Sequence, residues 1–504
     1  MIVKRMTRLM ALCLAAMLLM PLTLALGDDG YSSTYTYNYD FWNEMHESPD
    51  AYRVTDVIYS GTLGLEIAMR RPQSLFARDD RLYVADTGNN RILQLRHVNG
   101  TFTLERIIDR VKGTEPETFS APNDVSVDAV GNIYVADTNN NRVVMMDKNL
   151  NFIRSYVKPE DTTYDQNLNF LPNKIVVDSS GRVFVLATNV NKGLVKYEAD
   201  GSFSGFIGAN MVSYNLWDYI WKTFFTTKEQ REQQIAFVPT EYENICIDSD
   251  GFIYATNTVF SEYDLEWDIA KPIRRLNSIG NDILVKNDKW PPIGDRQWVE
   301  GSQDYGPSKL KDVTVLENDI YIAVDRTRGR VFGYDPQGIM LWAFGTKGNN
   351  EGAFLAAVSI EHMGHDLFVL DENDCSITVF TPTEYGDLIY KASDQYLRGE
   401  YEASADTWRE VLKFNANYNL AFIGIGRALM RQEQYEEAMR YFKMGHDREN
   451  YGRAYRYYRK VLVEENIGWV VAVAVCLIVV LFGVKTVKKI KAEVAENDRR
   501  KITA

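Results

Sequence analysis

Five positions in this 504-residue chain could gather chemistry at one point: Ser74, Asp124, Lys174, Glu241 and Asp312. The first four each follow a proline by two residues (Pro72, Pro122, Pro172, Pro239), and Asp312 follows Leu310 at the same spacing. Equivalent positions of a repeated unit share one environment, so units arranged around an axis would turn these side chains toward it at one face. The three acids among them are a ligand set of the kind a divalent cation takes. Lys174 breaks that ring with a positive charge, and Asp is in any case common where a chain enters a turn. The five histidines show no repeated spacing suited to zinc, and His362 and His365 merely flank one turn. No Gly-x-Ser-x-Gly elbow or phosphate-cradling loop occurs. No catalytic residue is therefore assigned, no cofactor is called for beyond that axial cation, and a binding or scaffold role is favoured over an enzyme.

A second set of residues is aromatic. Three insertions, 209–238, 258–271 and 287–309, hold five of the nine tryptophans: Trp217, Trp221, Trp267, Trp290 and Trp298. Indole presents a flat apolar face with a polar edge. Beside acids such as Asp218, Asp264, Asp295 and Asp304, such faces suit a sugar ring, whose C–H surface stacks while its hydroxyls bond carboxylates. The same aromatics would suit the anchor point of a protein partner. The third possibility is packing alone, with residues 216–225 forming a buried helix in a satellite core.

What must position both sets is a repeat. Pro72-Gln-Ser-Leu-Phe leading to Tyr83-Val-Ala-Asp86 and Arg91 aligns without gaps with Pro122-Asn-Asp-Val-Ser leading to Tyr134-Val-Ala-Asp137 and Arg142. A third copy starts at Pro172, and weaker ones start at Pro239, near Leu310 and near Leu355, which makes six units. Each alternates short β-rich runs with Gly, Asn or Asp turns, the pattern of four antiparallel strands. One such sheet cannot cover both of its faces, whereas six set radially cover one another. The sequence therefore predicts an all-β six-bladed propeller over residues 52–382. These units resemble NHL repeats, closely in the first two blades and least in the fourth. The sixth unit has no fourth strand of its own, and residues 52–59 match the fourth-strand sequence of the first unit, so the N-terminal segment is expected to close the ring. The recurring pairs Asp86/Arg91, Asp137/Arg142 and Asp325/Arg330 fall at the hairpin joining strands two and three, where Asp satisfies turn amides and Arg pairs with it.

From Leu388 a 34-residue period sets Leu388, Ala392, Tyr401, Ser404 and Trp408 against Phe422, Gly426, Tyr435, Ala438 and Phe442. This resembles two tetratricopeptide repeats over residues 383–450, a rigid stalk or a peptide-binding groove, with a capping helix over 451–466. An uncharged run, 467–484, is long enough to cross a bilayer at about 1.5 Å per residue. The lysines that follow place the tail, 485–504, in the cytoplasm. Residues 1–27 have the basic start and apolar run of an export signal. Residues 28–51, rich in Tyr, Ser and Thr, read as an exposed arm.

Charge follows this layout. The net charge is −13, yet the signal and the tail are both basic, so the exported part is more acidic still. Such a surface argues against nucleic acid and against adhesion to anionic lipid. Cys246 and Cys375 are too few for a disulfide framework. The sequence reading is thus a single-pass plasma-membrane protein with its propeller outside, binding an extracellular glycan or protein. The layout resembles membrane-anchored proteins of Gram-positive bacteria, which implies a transporter component of carbohydrate uptake as a partner. The alternative, implied by resemblance to lactonase-like propellers, is a metal-dependent hydrolase using Asp124, Glu241 and Asp312.

Overall fold

The computed structural model describes residues 35–502 except 41, 43, 99, 189, 191, 209–241, 261, 268, 287–291 and 297–305. Six antiparallel sheets follow one another along the chain. Blade 1 comprises Ser74–Arg78, Arg81–Asp86, Arg91–Val98 and Thr101–Ile108. Blade 2 comprises Pro122–Val127, Ile133–Asp137, Arg142–Met146 and Phe152–Tyr156. Blade 3 comprises Leu171–Val177, Val183–Thr188, Leu194–Tyr197 and Phe203–Ile207. The first strands of successive blades lie against one another in a closed ring, blade 6 returning to blade 1. This is a six-bladed propeller.

The strands read as continuous apolar runs because both of their faces are covered. In blade 1, Leu82, Val84, Leu93 and Leu95 pack toward Val358, Phe368 and Leu370 of blade 6. Their alternate neighbours Tyr83, Ala85 and Ile92 pack toward Val125, Val127, Ile133 and Val135 of blade 2. The two-residue period of a strand thus sends successive side chains into opposite neighbours.

The later blades depart from the simple pattern. Blade 4 has three described strands, Asn244–Ile247, Ile253–Thr256 and Ile273–Leu276. The expected fourth is replaced by an irregular segment that touches the edge through an Ile283 N–H to Arg275 carbonyl bond of 2.7 Å. Blade 5 has Leu310–Val315, Tyr321–Asp325, Arg330–Tyr334 and Met340–Phe344. Blade 6 has Ala357–Met363, Asp366–Asp371 and Ser376–Pro382, completed by Tyr52–Ile58. That closing strand pairs antiparallel from Ile377↔Ile58 to Pro382↔Tyr52, the closure expected from the sequence.

The described part of the Tyr-rich arm, from residue 35, is not the free arm its composition suggested. Tyr37–Tyr39 and Met45–Glu47 form a hairpin that extends blade 5, with Tyr37 opposite Ala343 of its outer strand. The phenol of Tyr37 is wholly buried. The arm covers what would otherwise be an open sheet edge.

After the propeller the chain is helical. A short helix in the blade 4 insertion, α1 (Glu262–Glu266), precedes α2 (Glu384–Leu397), α3 (Tyr401–Phe414), α4 (Asn419–Arg431), α5 (Tyr435–Met444) and α6 (Arg448–Ile502). From α2 onward each packs on the next. Small residues permit close approach: a Cβ on Gly424 would lie 2.5 Å from the Trp408 indole nitrogen, and one on Gly426 would lie 2.7 Å from Phe442. This layer is not a free stalk. One core cluster runs from Trp342, Phe344 and Phe380 of the propeller into Tyr390, Trp408 and Ile425 of the helices. Tyr418 donates to the Leu341 carbonyl at 2.5 Å, and the hydroxyls of Tyr52 and Tyr390 meet at the same distance. The helix α6 leaves this core at Ala454 and continues without a break through the apolar run 467–484, long and apolar enough to cross a membrane.

Candidate functional site

The axis is lined by one residue from each first strand: Ser74, Asp124, Lys174, Asn244, Asp312 and Ser359. In blades 2, 3, 5 and 6 this residue lies where the strand register skips, which turns its side chain inward. Four of the five sequence-derived positions are thus brought together. Glu241 lies outside the described residues, and its place in blade 4 is taken by Asn244, which pairs with Thr256 just as Asp124 pairs with Ala136.

The two acids of this ring join blades. Asp124 accepts from Ser74 Oγ at 2.5 Å and from the Ile175 amide at 2.7 Å, linking blades 1, 2 and 3. Asp312 accepts from Ser359 Oγ at 2.7 Å, the Ile360 amide at 2.9 Å and its neighbour Val313 at 2.7 Å. Ser359 in turn accepts from the Leu75 amide at 3.0 Å, which ties blade 6 to blade 1. Burial pushes both carboxyls upward, against the pull of the Lys174 ammonium that faces them. Lys174 reaches across to the Gln73 carbonyl at 3.2 Å. These residues do not fit a divalent cation. Every oxygen of Asp124 and Asp312 already holds an N–H or O–H donor, the Lys174 ammonium faces them, and the other described ring members, Ser74, Asn244 and Ser359, are neutral.

Two residues further along the first strands, the sequence reading missed a polar group. Glu361 lies near Thr314 Oγ1, 3.4 Å away, and the His362 amide, 3.3 Å away. Burial, and secondarily the charge of Asp312, push its carboxyl up to about 8. His362 hydrogen-bonds Thr314 Oγ1 at 2.7 Å, and burial lowers its imidazole to about 4. Cys246 completes this wall, its thiol raised by burial and by Asp312 and Glu361. The channel thus holds a carboxyl that keeps its proton at neutral pH, a group able to donate one. No proline marks blade 6, so the repeat gave no anchor from which to count to Glu361.

The hairpin pairs are structural in two of three cases. Arg91 meets Asp86 at 2.7 Å and Arg142 meets Asp137 at 2.9 Å, and all four residues are buried. Each Asp also accepts a backbone amide from the incoming chain, Arg70 or Ser120. The third expected pair does not form. Arg330 donates to the Gly345 carbonyl and lies over the Tyr37 ring, 5.0 Å from its centroid. Without a guanidinium against it, Asp325 is pushed up to about 6 by burial.

On blade 4 the insertions meet. Leu265, Ala270 and Ile293, with Phe260, form a small cluster of their own, so part of this region packs as a satellite core. Lys309 fastens it to blade 5 through the Phe260 carbonyl at 2.7 Å. The insertion starts at the mouth of the axis, where Thr258 bonds Glu243 at 3.2 Å and Glu243 pairs with Lys311. Burial, helped by Lys174 and Arg326, lowers the Lys311 ammonium to about 8. Trp267 is 66% exposed and Tyr263 60% exposed, with ring centroids 5.8 Å apart. Val259 and Ile269, in the same insertion, are exposed as well. Trp217, Trp221, Trp290 and Trp298 lie outside the described residues.

Asp295 is not available to a ligand. It is 3% exposed, accepts from the Tyr37 hydroxyl at 2.8 Å and from Tyr39 at 2.7 Å, and lies 3.5 Å from Arg328. It is the clasp that holds the N-terminal hairpin on blade 5. The alternating Tyr37-Asn-Tyr39 pattern was the signal for this, since it places both phenols on one strand face.

Blade 2 carries the motif in fullest form, and the segment 119–144 matches the NHL repeat. Residues 119–144 are an NHL repeat. No curated protein matches the sequence of this chain. Solved structures that are similar to it include a streptogramin B lyase, at 12% identity over 66% of this chain and 100% of that one, with a TM-score of 0.39. Virginiamycin B lyase from Staphylococcus aureus is 11% identical over 66% of this chain and 99% of that one, with a TM-score of 0.37. A protein of unknown function from Bacteroides thetaiotaomicron is 10% identical over 68% of this chain and 80% of that one, with a TM-score of 0.41.

Proposed function

We propose that this chain is a membrane-anchored binding or scaffold protein that presents the aromatic patch of blade 4 to an extracellular partner. The observation that carries this is the exposed Trp267–Tyr263 pair seated on a packed satellite core. Large aromatic faces held in water by a rigid base are the usual anchors of recognition, for protein hot spots and for sugar rings alike. The helical layer belongs to the same reading as a tetratricopeptide-like pair, supported by the close helix approaches at Gly424 and Gly426. The lysines after residue 484 support a cytoplasmic tail and an outward-facing propeller. A component of a carbohydrate transporter in the same membrane is the partner class proposed.

The test places a photo-crosslinking residue at position 267 in the full-length protein in living cells, and the attached species are identified by mass spectrometry. A discrete membrane-protein or glycan adduct, lost on competition by excess unmodified protein, supports the proposal. Crosslinks to solvent only would overturn it. The hydrolase alternative would draw on Asp124 and Asp312, both already hydrogen-bonded, on Glu241, which lies outside the described residues, and on Glu361 as a group that could move a proton.

A further inference from the structure

A cleft of about 880 Å³ opens between blade 5 and the helical layer. It does not use Tyr263 or Trp267. Its floor is apolar, with Ile339 and Met340 from the propeller facing Leu420, Ile423 and Met430 from α4. Its walls are basic: Lys286 and Arg296 on one side, and Arg427, Arg431, Arg448 and Arg453 on the helices. The acids that line it are already engaged. Asp447 caps α6 by accepting from Asn450, Glu449 pairs with Arg453, and Asp40 accepts from Trp42 and Glu44 amides. Arg427 lies 4.7 Å over the Tyr396 ring and 3.5 Å from Asp335, and Arg431 donates to the Tyr396 hydroxyl at 3.4 Å. Arg296, Arg431 and Arg448 have no carboxylate partner among the described residues.

The positive field is felt inside. Burial should raise the Tyr396 phenol, yet Arg431 and Arg427 together hold it below its ordinary value. In a protein of net charge −13, concentrating guanidinium groups around an apolar trough is opposed by self-repulsion until an anion enters. Arg is suited to that role because its fork matches carboxylate geometry, and methionines adapt their shape to varied apolar side chains.

We infer that this cleft is a second binding site, which takes an acidic peptide segment of a partner protein, studded with apolar side chains. A lipid headgroup is the wrong source of negative charge. Ile467 lies fourteen helical steps beyond Arg453 on α6, which is about 21 Å of helix. The headgroup layer on one side of a bilayer is only about 5–8 Å thick.

The experiment titrates the full-length protein in detergent micelles against fluorescent peptides of roughly eight residues. One library interleaves Glu and Asp with Leu, Met and Phe, and its counterpart carries Lys and Arg in place of the acids. The acidic library is expected to yield binders that weaken at least about tenfold between about 50 mM and about 500 mM NaCl. They should weaken about as much in Arg431→Glu/Arg448→Glu and be unchanged in Trp267→Ala. If the double variant does not melt like the wild type, Arg448→Gln, at an exposed position, replaces it with an expected loss of about threefold. The inference is overturned if no acidic peptide binds, if the basic library binds equally, or if binding ignores the arginine variants. Displacement of a bound acidic peptide by phosphatidylserine would overturn it too, by assigning the cleft to lipid.

Discussion

Replacing Asp295 by alanine should release the N-terminal hairpin while leaving the ring of blades intact. The carboxylate accepts from Tyr37 at 2.8 Å and from Tyr39 at 2.7 Å, and it is the buried counter-charge of Arg328. Hydrogen bonds to a charged group are worth about 1.5–3 kcal/mol each, and removing one partner of a buried pair costs about 3–5 kcal/mol. A local penalty of about 3–5 kcal/mol follows, because two phenols and a guanidinium lose their acceptor together. At about 1.4 kcal/mol per tenfold, the opening equilibrium of the hairpin shifts by roughly 140- to 4,000-fold. Hydrogen–deuterium exchange of the peptide covering residues 36–48 reads this directly, with blades 1 to 3 as internal reference. Tyr39→Phe, which removes one donor, should give roughly a tenfold effect. A change of less than about threefold in Asp295→Ala would refute the assignment of this carboxylate as the clasp.

Three further outcomes are expected. Glu361 is raised to about 8 when folded, so its contribution falls as pH rises from the ordinary carboxylate range to 8, while His362, lowered to about 4, acts only below about pH 6.5. Between pH 6.5 and 8 the propeller should therefore lose about 2 kcal/mol in chemical unfolding, and Glu361→Gln should flatten that slope. Gly424→Val would drive a side chain into Trp408, whose indole nitrogen is 2.5 Å from the Cβ position, and should cost at least about 2–3 kcal/mol with a lower melting temperature. Trp267→Ala, at an exposed position, should leave melting within about 0.5 kcal/mol of wild type while reducing partner capture.

The sequence made the propeller legible because each blade repeats the same solution to the same packing problem. Leu82 and Tyr83 must face different neighbours, and that alternation recurs wherever a blade recurs. The closing strand was legible for a related reason: Tyr52–Ile58 carries the fourth-strand pattern where the sixth unit lacks one. Misreadings cluster where residues answer to contacts the repeat does not encode. Asn244 was missed for Glu241 because the blade 4 proline is not at the repeat spacing. Arg330 departs from Asp325 because the arm offers it aromatic faces, and the arm itself was misjudged because its composition outweighed its two-residue alternation. The cleft has no local signature at all, since its walls lie about a hundred residues apart in the chain.

The unbroken run of α6 from the helical core into its apolar stretch has a geometric consequence. A helix advances about 100° per residue, so each residue between Ala454 and Ile467 sets an azimuth as well as a height. Deleting one residue there would swing the blade 4 patch to a different compass bearing around the bilayer normal, whereas removing seven would nearly restore the bearing about 10 Å lower. If the proposed partner sits in the same membrane, this architecture keys the patch to it like a shaft.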